Sequence, residues 1–270
     1  MSALKLKLRA APSRRLDLSP LIPGRLAGLS IAEIEKIAIY AGPEGLTVGD
    51  CFAVSGAAGD ALHIEGGSDK FDKVGAEHAG GEIIVDGDVG LYAGRRMKSG
   101  RLDIRGNAGD CLASNLRGGI VIVSGSAGTH LGGPLAGEKD GLAGGTVVVM
   151  GDTGDLAGER MRRGTLVVKG RMGRNAGARM MGGTIIGEQG LSAGAGVQMR
   201  RGTLIGPSLE AQSATFVDCG THELLILTIM AAYWRRTLGD LAPPAIASAP
   251  RRLMGDLSSL GKGEILLTEG

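Results

Sequence analysis

The sequence predicts an all-β solenoid, and three observations carry that prediction: a unit recurring at fixed spacing, an apolar alternation inside it, and an unusual glycine content. Units open at Gly81, Gly100, Gly119, Gly145, Gly164, Gly183 and Gly202, so that every step is nineteen except the third, from Gly119 to Gly145, which is twenty-six. A fixed period of this length marks a stack of supersecondary units that bury their apolar faces only against one another. The longer step carries seven extra residues in the small and polar run from Gly132 to Gly141, which is loop composition. The 270 residues include 49 glycines and only 3% aromatic residues, so stability must come from many small stacked contacts rather than from large rings.

Taken in order, residues 1–9 alternate apolar and basic side chains and read as a first strand. Ser30 followed by Glu33 is a capping box, which predicts one or two helical turns after it. Residues 1–45 form an N-terminal cap, and 46–206 hold the repeats, blurred between Leu46 and Gly80, with Lys70 to His78 expected as a loop protruding from the stack. Within each unit, positions two and four after the opening glycine stay apolar, as in Ile83/Val85, Val121/Val123 and Leu166/Val168, which predicts a strand with one buried face. Twelve positions on lies a small or apolar column (Ala93, Leu112, Leu131, Ala157, Ala176, Ala195). Sixteen on lies a second column, Met97, Leu116, Met161, Met180 and Met199, joined in the longer unit by Leu142 when counted back from Gly145, also expected to point inward. Between strand and second column runs Gly-x-x-Gly-x-x-x-Gly, as in Gly87-Gly90-Gly94 and Gly151-Gly154-Gly158. Units stacked about 4.8 Å apart must turn in the same place, and glycine does so at little steric cost.

Residues 207–270 form a C-terminal strand, helix and extended tail. Thr221 is expected to cap a helix running to Leu238, with Gly239 as its stop. That segment is apolar nearly all the way round and too short to span a bilayer, so it must be buried on the end of the stack or in a partner.

Composition excludes more than it assigns. A formal net charge of +2 implies neither nucleic acid nor membrane as partner. No run approaches the roughly 20 apolar residues of a membrane span, and the amino terminus lacks a signal peptide's apolar core, so a cytoplasmic protein is expected. Cys51, Cys111 and Cys219 lie far apart, with no metal-binding spacing, and read as isolated thiols of a reducing compartment. His63, His78, His130 and His222 fall at unrelated repeat positions and are expected as scattered surface or loop residues. There is no phosphate-loop motif, and regularly placed calcium-binding aspartates are missing. No catalytic, cofactor-binding or metal-ligating residue is therefore assigned. One polar feature recurs: Arg95, Arg96, Lys98, Arg117, Arg160, Arg162, Arg163, Arg179, Arg200 and Arg201 flank the Met column and would align as a basic ridge. Stacked like charges repel, so acidic residues must intersperse or an acidic surface must dock there.

The Gly-x-x-Gly-x-x-x-Gly unit followed by Met resembles the right-handed parallel β-helix at the carboxy terminus of the glutamate synthase large subunit and in the C subunit of formylmethanofuran dehydrogenases. The tail from Arg252-Leu253-Met254-Gly255-Asp256-Leu257 to Gly261-Lys262-Gly263-Glu264-Ile265-Leu266 is similar to that of the C subunit, and the Ala-, Gly- and Arg-rich composition is similar to the bacterial branch of that family, in formyltransferase/hydrolase complexes. The resemblance implies a right-handed parallel β-helix of about nineteen residues per coil. It also implies a non-catalytic structural subunit in one-carbon metabolism and formaldehyde oxidation, within a complex that moves a formyl group from formyl-tetrahydromethanopterin to a methanofuran-type carrier and releases formate. The formyltransferase, zinc amidohydrolase-like and dehydrogenase-like subunits would be partners, holding the carrier, tetrahydromethanopterin and zinc. The alternatives are the C subunit of a redox-active formylmethanofuran dehydrogenase, or a glutamate-synthase-type domain, which the missing amidotransferase and flavin segments disfavour. A left-handed β-helix acyltransferase would need eighteen-residue coils in apolar-led hexads, which these units do not have.

Overall fold

The apolar alternation sets the architecture, because each strand can bury its inward side chains only against those of the neighbouring units. The structure, a computed structural model, describes residues 3–40, 42, 45–244, 246 and 249–268. The strands are β1 (Leu4–Leu8), β2 (Leu16–Asp17), β3 (Phe52–Ser55), β4 (Ala61–Glu65), β5 (Phe71–Asp72), β6 (Ala79–Asp86), β7 (Ser99–Ile104) and β8 (Ile120–Val123), followed by β9 (Ala143–Val149), β10 (Arg163–Val168), β11 (Thr184–Gly187), β12 (Arg201–Gly206), β13 (Val217–Thr221), β14 (Arg251–Gly255) and β15 (Lys262–Leu267). The helices are α1 (Pro23–Leu26), α2 (Ile31–Glu35), α3 (Val48–Cys51) and α4 (Leu225–Leu238). The protein is thus all-β with a few helices, and thirteen strands form one mixed sheet in the order β13-β14-β15-β12-β11-β10-β9-β8-β7-β6-β4-β1-β3.

From β6 to β12 consecutive strands pair in parallel, and the register repeats the sequence period: Ile83 faces Leu102, Leu102 faces Val121, Val121 faces Val147, and Leu166 faces Ile185. A second row of parallel bridges runs through Val89, Ala108, Ala127, Thr153 and Met172. The strand positions Ile83, Val85, Val121, Val123, Leu166 and Val168 are fully buried, and so are all six members of the Met column. Polar side chains tie the turns together: Asp88 Oδ1 accepts the Asn107 amide at 2.7 Å, Asn107 Oδ1 the Ser126 amide at 2.9 Å, and Asp152 Oδ1 the Arg171 amide at 2.8 Å. Two turn glycines serve different ends. Gly158 has φ +71°, whereas a Cβ at Gly128 would lie 2.1 Å from Asp110 Oδ1.

Several expectations are corrected. Lys70 to His78 does not protrude: Phe71, Val74, Ala76 and His78 are buried, and the Gly94 amide donates to Val74 O at 2.8 Å. His78 lies one regular period before Met97 and takes the Met column's place in this irregular unit, so it is no surface histidine. The N-terminal strand is Leu4–Leu8, paired with both β3 and β4, while residues 1 and 2 of that expectation, and 41, 43 and 44 of the N-terminal segment, lie outside the described residues. The Ser30 capping box forms as expected, its hydroxyl accepting the Glu33 amide at 3.3 Å.

At the other end, Thr221 closes β13, and α4 begins after Leu224, which makes no side-chain cap. The helix does not lie on the end of the stack. Its buried residues Leu227, Trp234 and Leu238 pack on the outer face of the sheet against Val148, Val167, Ile186, Ile205 and Leu266, forming an apolar cluster separate from the interior one. The tail's β15 extends the sheet in parallel with β12, and β14 folds back antiparallel on β15.

Candidate functional site

Three features remain once the apolar core is accounted for: the basic ridge, the outward side of α4, and the isolated histidines and cysteines. The ridge arises from the repeat itself, since residues fifteen and seventeen positions into each unit flank the inward Met and so point away from the core. Its first part is neutralised in part from within the chain, with Lys98 and Arg117 in no ion pair among the described residues. The seven-residue insertion reaches back across the neighbouring units, and Glu138 accepts from Arg95 at 2.5 Å and Arg96 at 2.7 Å, while Asp140 pairs with Arg162 at 3.0 Å. Burial pushes the Glu138 carboxyl up, but the Leu135 amide and the two guanidiniums outweigh it and hold the group below the usual carboxylate range. The run that read as mere loop thus supplies the interspersed acids. The signal for this was in the sequence: two acidic residues at the only insertion, beside a column of arginines.

The second part differs. Arg179 pairs with buried Glu159, which also faces His130 Nε2 at 3.6 Å. Lys98, Arg163, Arg200 and Arg201 have no ion pair among the described residues. A cavity of about 370 Å³ opens here, lined by Lys139, Arg160, Arg179, Gln198, Arg200 and Ser259, with Met181 and Ser258 beside them.

On α4, residues 225, 226, 229 and 233 share one side at helical spacing, and Leu225, Ile226, Ile229 and Tyr233 are 76%, 54%, 57% and 48% exposed. The edge strand β13 is also exposed along its length, Val217 at 49%. A contiguous exposed apolar area of this kind marks an interaction surface.

The histidines and cysteines do not assemble into a site. His63 Nε2 lies 2.6 Å from Asp86 Oδ2, and Asp86 also accepts from Arg105 at 2.8 Å. Burial raises the Asp86 carboxyl less than these two partners lower it, so it stays below its ordinary value. His78 is buried with Nδ1 unpartnered and Nε2 3.1 Å from Gly81 O, and desolvation lowers its pKa more than that carbonyl raises it. His222 Nε2 lies 2.7 Å from the Cys219 carbonyl. The three cysteines are free thiols, and burial raises the pKa of Cys51 and Cys111. Among the described residues no group of three or more His, Cys, Asp or Glu is placed to hold a metal ion, and no helix is long and apolar enough to cross a membrane.

No protein-family model matches the chain. The C subunit of the formyltransferase/hydrolase complex Fhc of Methylorubrum extorquens is 48% identical over 85 residues, 32% of this chain and 32% of that protein. The C subunit of the tungsten-containing formylmethanofuran dehydrogenase 2 of Methanothermobacter wolfeii is 37% identical over 99 residues, 35% of this chain and 37% of that protein. The stretches matched in these curated relatives therefore span about a third of the relatives' own length, 32% and 37%. The similarity to a solved chain is longer. A chain in the X-ray crystal structure of the formyltransferase/hydrolase complex FhcABCD from Methylorubrum extorquens, in complex with methylofuran, matches with a TM-score of 0.91 and 38% identity, over 98% of this chain and 100% of that one.

Proposed function

We propose a function from one premise: the chain belongs to the family formed by the C subunits of formyltransferase/hydrolase complexes and formylmethanofuran dehydrogenases. It is a structural subunit of a formyltransferase/hydrolase complex that moves a formyl group from formyl-tetrahydromethanopterin to a methanofuran-type carrier and releases formate. The observation that carries this reading is the match along essentially the whole of both chains, 98% and 100%, to a component of such a complex. The hydrolytic complex is preferred to a redox-active dehydrogenase because identity is higher to its C subunit, 48% against 37%.

In this reading the stack is a right-handed parallel β-helix of about nineteen residues per coil, with residues 46–206 as repeats between segments 1–45 and 207–270. The parallel, regularly repeating register and the second row of bridges support it. Among the described residues no group of three or more His, Cys, Asp or Glu fits a zinc ion, and the reading gives this chain a structural rather than a catalytic role. The carrier, tetrahydromethanopterin and zinc belong to the transferase, amidohydrolase-like and dehydrogenase-like subunits, in the cytoplasm. The chain's own contribution is surface. The exposed side of α4 is the apolar face offered to a partner subunit, and aromatic Tyr233 on it is a residue type enriched in interfaces. Purification of the tagged chain from its native host tests the reading: partner subunits that transfer and hydrolyse formyl groups accompany it, whereas recovery of the chain alone contradicts it.

A further inference from the structure

Toward its carboxy-terminal units the basic ridge lines a cavity. Arg160, Arg179 and Gln198 occupy the same position in three consecutive units, each with positive φ (50°, 56° and 58°), so the backbone turns their side chains out side by side along the stack. Arg200, two residues beyond Gln198, Lys139 of the insertion and Ser259 of the turn after β14 line the cavity with them. Of the four cations lining this cavity, only Arg179 has a carboxylate partner among the described residues, Glu159. Arg160 donates only to the Glu138 carbonyl, at 3.3 Å. Asp256, the nearest acid in sequence to the serines, is buried and already accepts the Gln198 and Ser258 amides and the Ser258 hydroxyl. At Arg95, Arg96 and Arg162 the fold supplies acids to the ridge; here it supplies a cavity, with an amide, a hydroxyl and three cations that have no carboxylate partner among the described residues.

We infer that this cavity is a binding site for a small polyanion, a group carrying two or more negative oxyanion charges. Arginine forks and a lysine recognise phosphate and carboxylate by the same charge-assisted hydrogen bonds, so both chemistries fit, and the shared feature is clustered negative oxygen. Binding of this kind weakens as salt screens it.

Titration calorimetry on the full chain at low ionic strength tests the inference, with inorganic pyrophosphate and citrate as probes. The expected result is saturable one-to-one binding of at least one probe, weakened about tenfold or more in Arg200→Gln, the value of one charge-assisted hydrogen bond lost. Arg235→Gln on α4 leaves it unchanged. Tighter binding of pyrophosphate assigns the site to phosphate, and equal or tighter binding of citrate to carboxylate; either supports the site. Failure of both probes to bind, or equal weakening by the two substitutions, overturns it. Arg200 is exposed and unpaired, so an unaltered melting temperature shows that Arg200→Gln remains folded. The measurement uses no partner subunit, so its outcome is independent of whether the chain assembles.

Discussion

Leu227→Asp probes the packing of α4 on the outer face of the sheet. Leu227 is 2% exposed and lies in the apolar cluster with Trp234, Leu238, Val167 and Ile186. Removing its side chain from that contact forfeits about 1.5–3 kcal/mol of burial. Forcing an unpaired carboxylate into the same place costs several kcal/mol more. A total of roughly 5 kcal/mol approaches the whole stability of an ordinary domain, about 5–15 kcal/mol. The interior cluster, however, contains none of the α4 side chains, so the loss falls on the helix. The helix should detach while the stack stays folded. Trp234 is the only tryptophan in the chain and is 1% exposed, so its emission reports the event without labelling. Leu227→Asp is expected to shift that emission to the red and to abolish hydrogen-exchange protection of residues 225–238, leaving that of β7 to β10 in place. Ile226→Asp, one residue away at 54% exposure, should change stability by no more than about 0.5 kcal/mol. Equal effects of the two substitutions, or global unfolding by Leu227→Asp, would refute the assignment of the helix to a separate outer layer.

Met161→Asp places a charge at a fully buried position of the Met column and should cost several kcal/mol, whereas Arg163→Asp, exposed and without an ion pair, should stay within about 0.5 kcal/mol; equal shifts in chemical denaturation would mean the register is wrong. The lowered pKa of His78 means the unfolded chain binds its proton more readily than the folded one, so stability is complete above about pH 6.5 and falls as the pH drops below that value. His78→Met, which restores the column residue of the later units, should flatten this acid-side fall, and an unchanged pH profile of the unfolding midpoint would show that His78 does not cause it.

The repeat region was legible because stacking makes it so. Each unit contacts only its neighbours, so a column of buried residues in space is a column at fixed spacing in sequence, and Met97, Leu116, Met161 and Met180 could be placed in the core without coordinates. Legibility failed where the spacing broke. Between β4 and β6, Leu62 faces Ile83, a step two longer than the regular one, and that difference hid the irregular unit containing Phe71 and His78. The outer layer was missed for another reason. A one-sided strand rule discards the third position of the unit, yet Ile122, Val148, Val167, Ile186 and Ile205 are all apolar there, and the last four form the platform under α4. Asp103 in the earlier unit interrupts that apolar run and marks where it ends. The basic ridge and the acids of the insertion were both visible, but which arginines those acids meet was not, because pairing Glu138 with Arg95 and Arg96 spans 43 and 42 residues across stacked units. Sequence distance carries no signal for such contacts unless the insertion is placed on the face it covers.

The most direct measurement of the central claim is purification of the tagged chain from its native host, with every protein in the eluate identified and formyl transfer and hydrolysis assayed on the intact assembly and on the chain separated from it. A structural subunit predicts recovery in fixed proportion with the transferase and amidohydrolase-like subunits, activity in the assembly, and none in the separated, still folded chain. Turnover by the separated chain, or its recovery without those partners, would contradict the account.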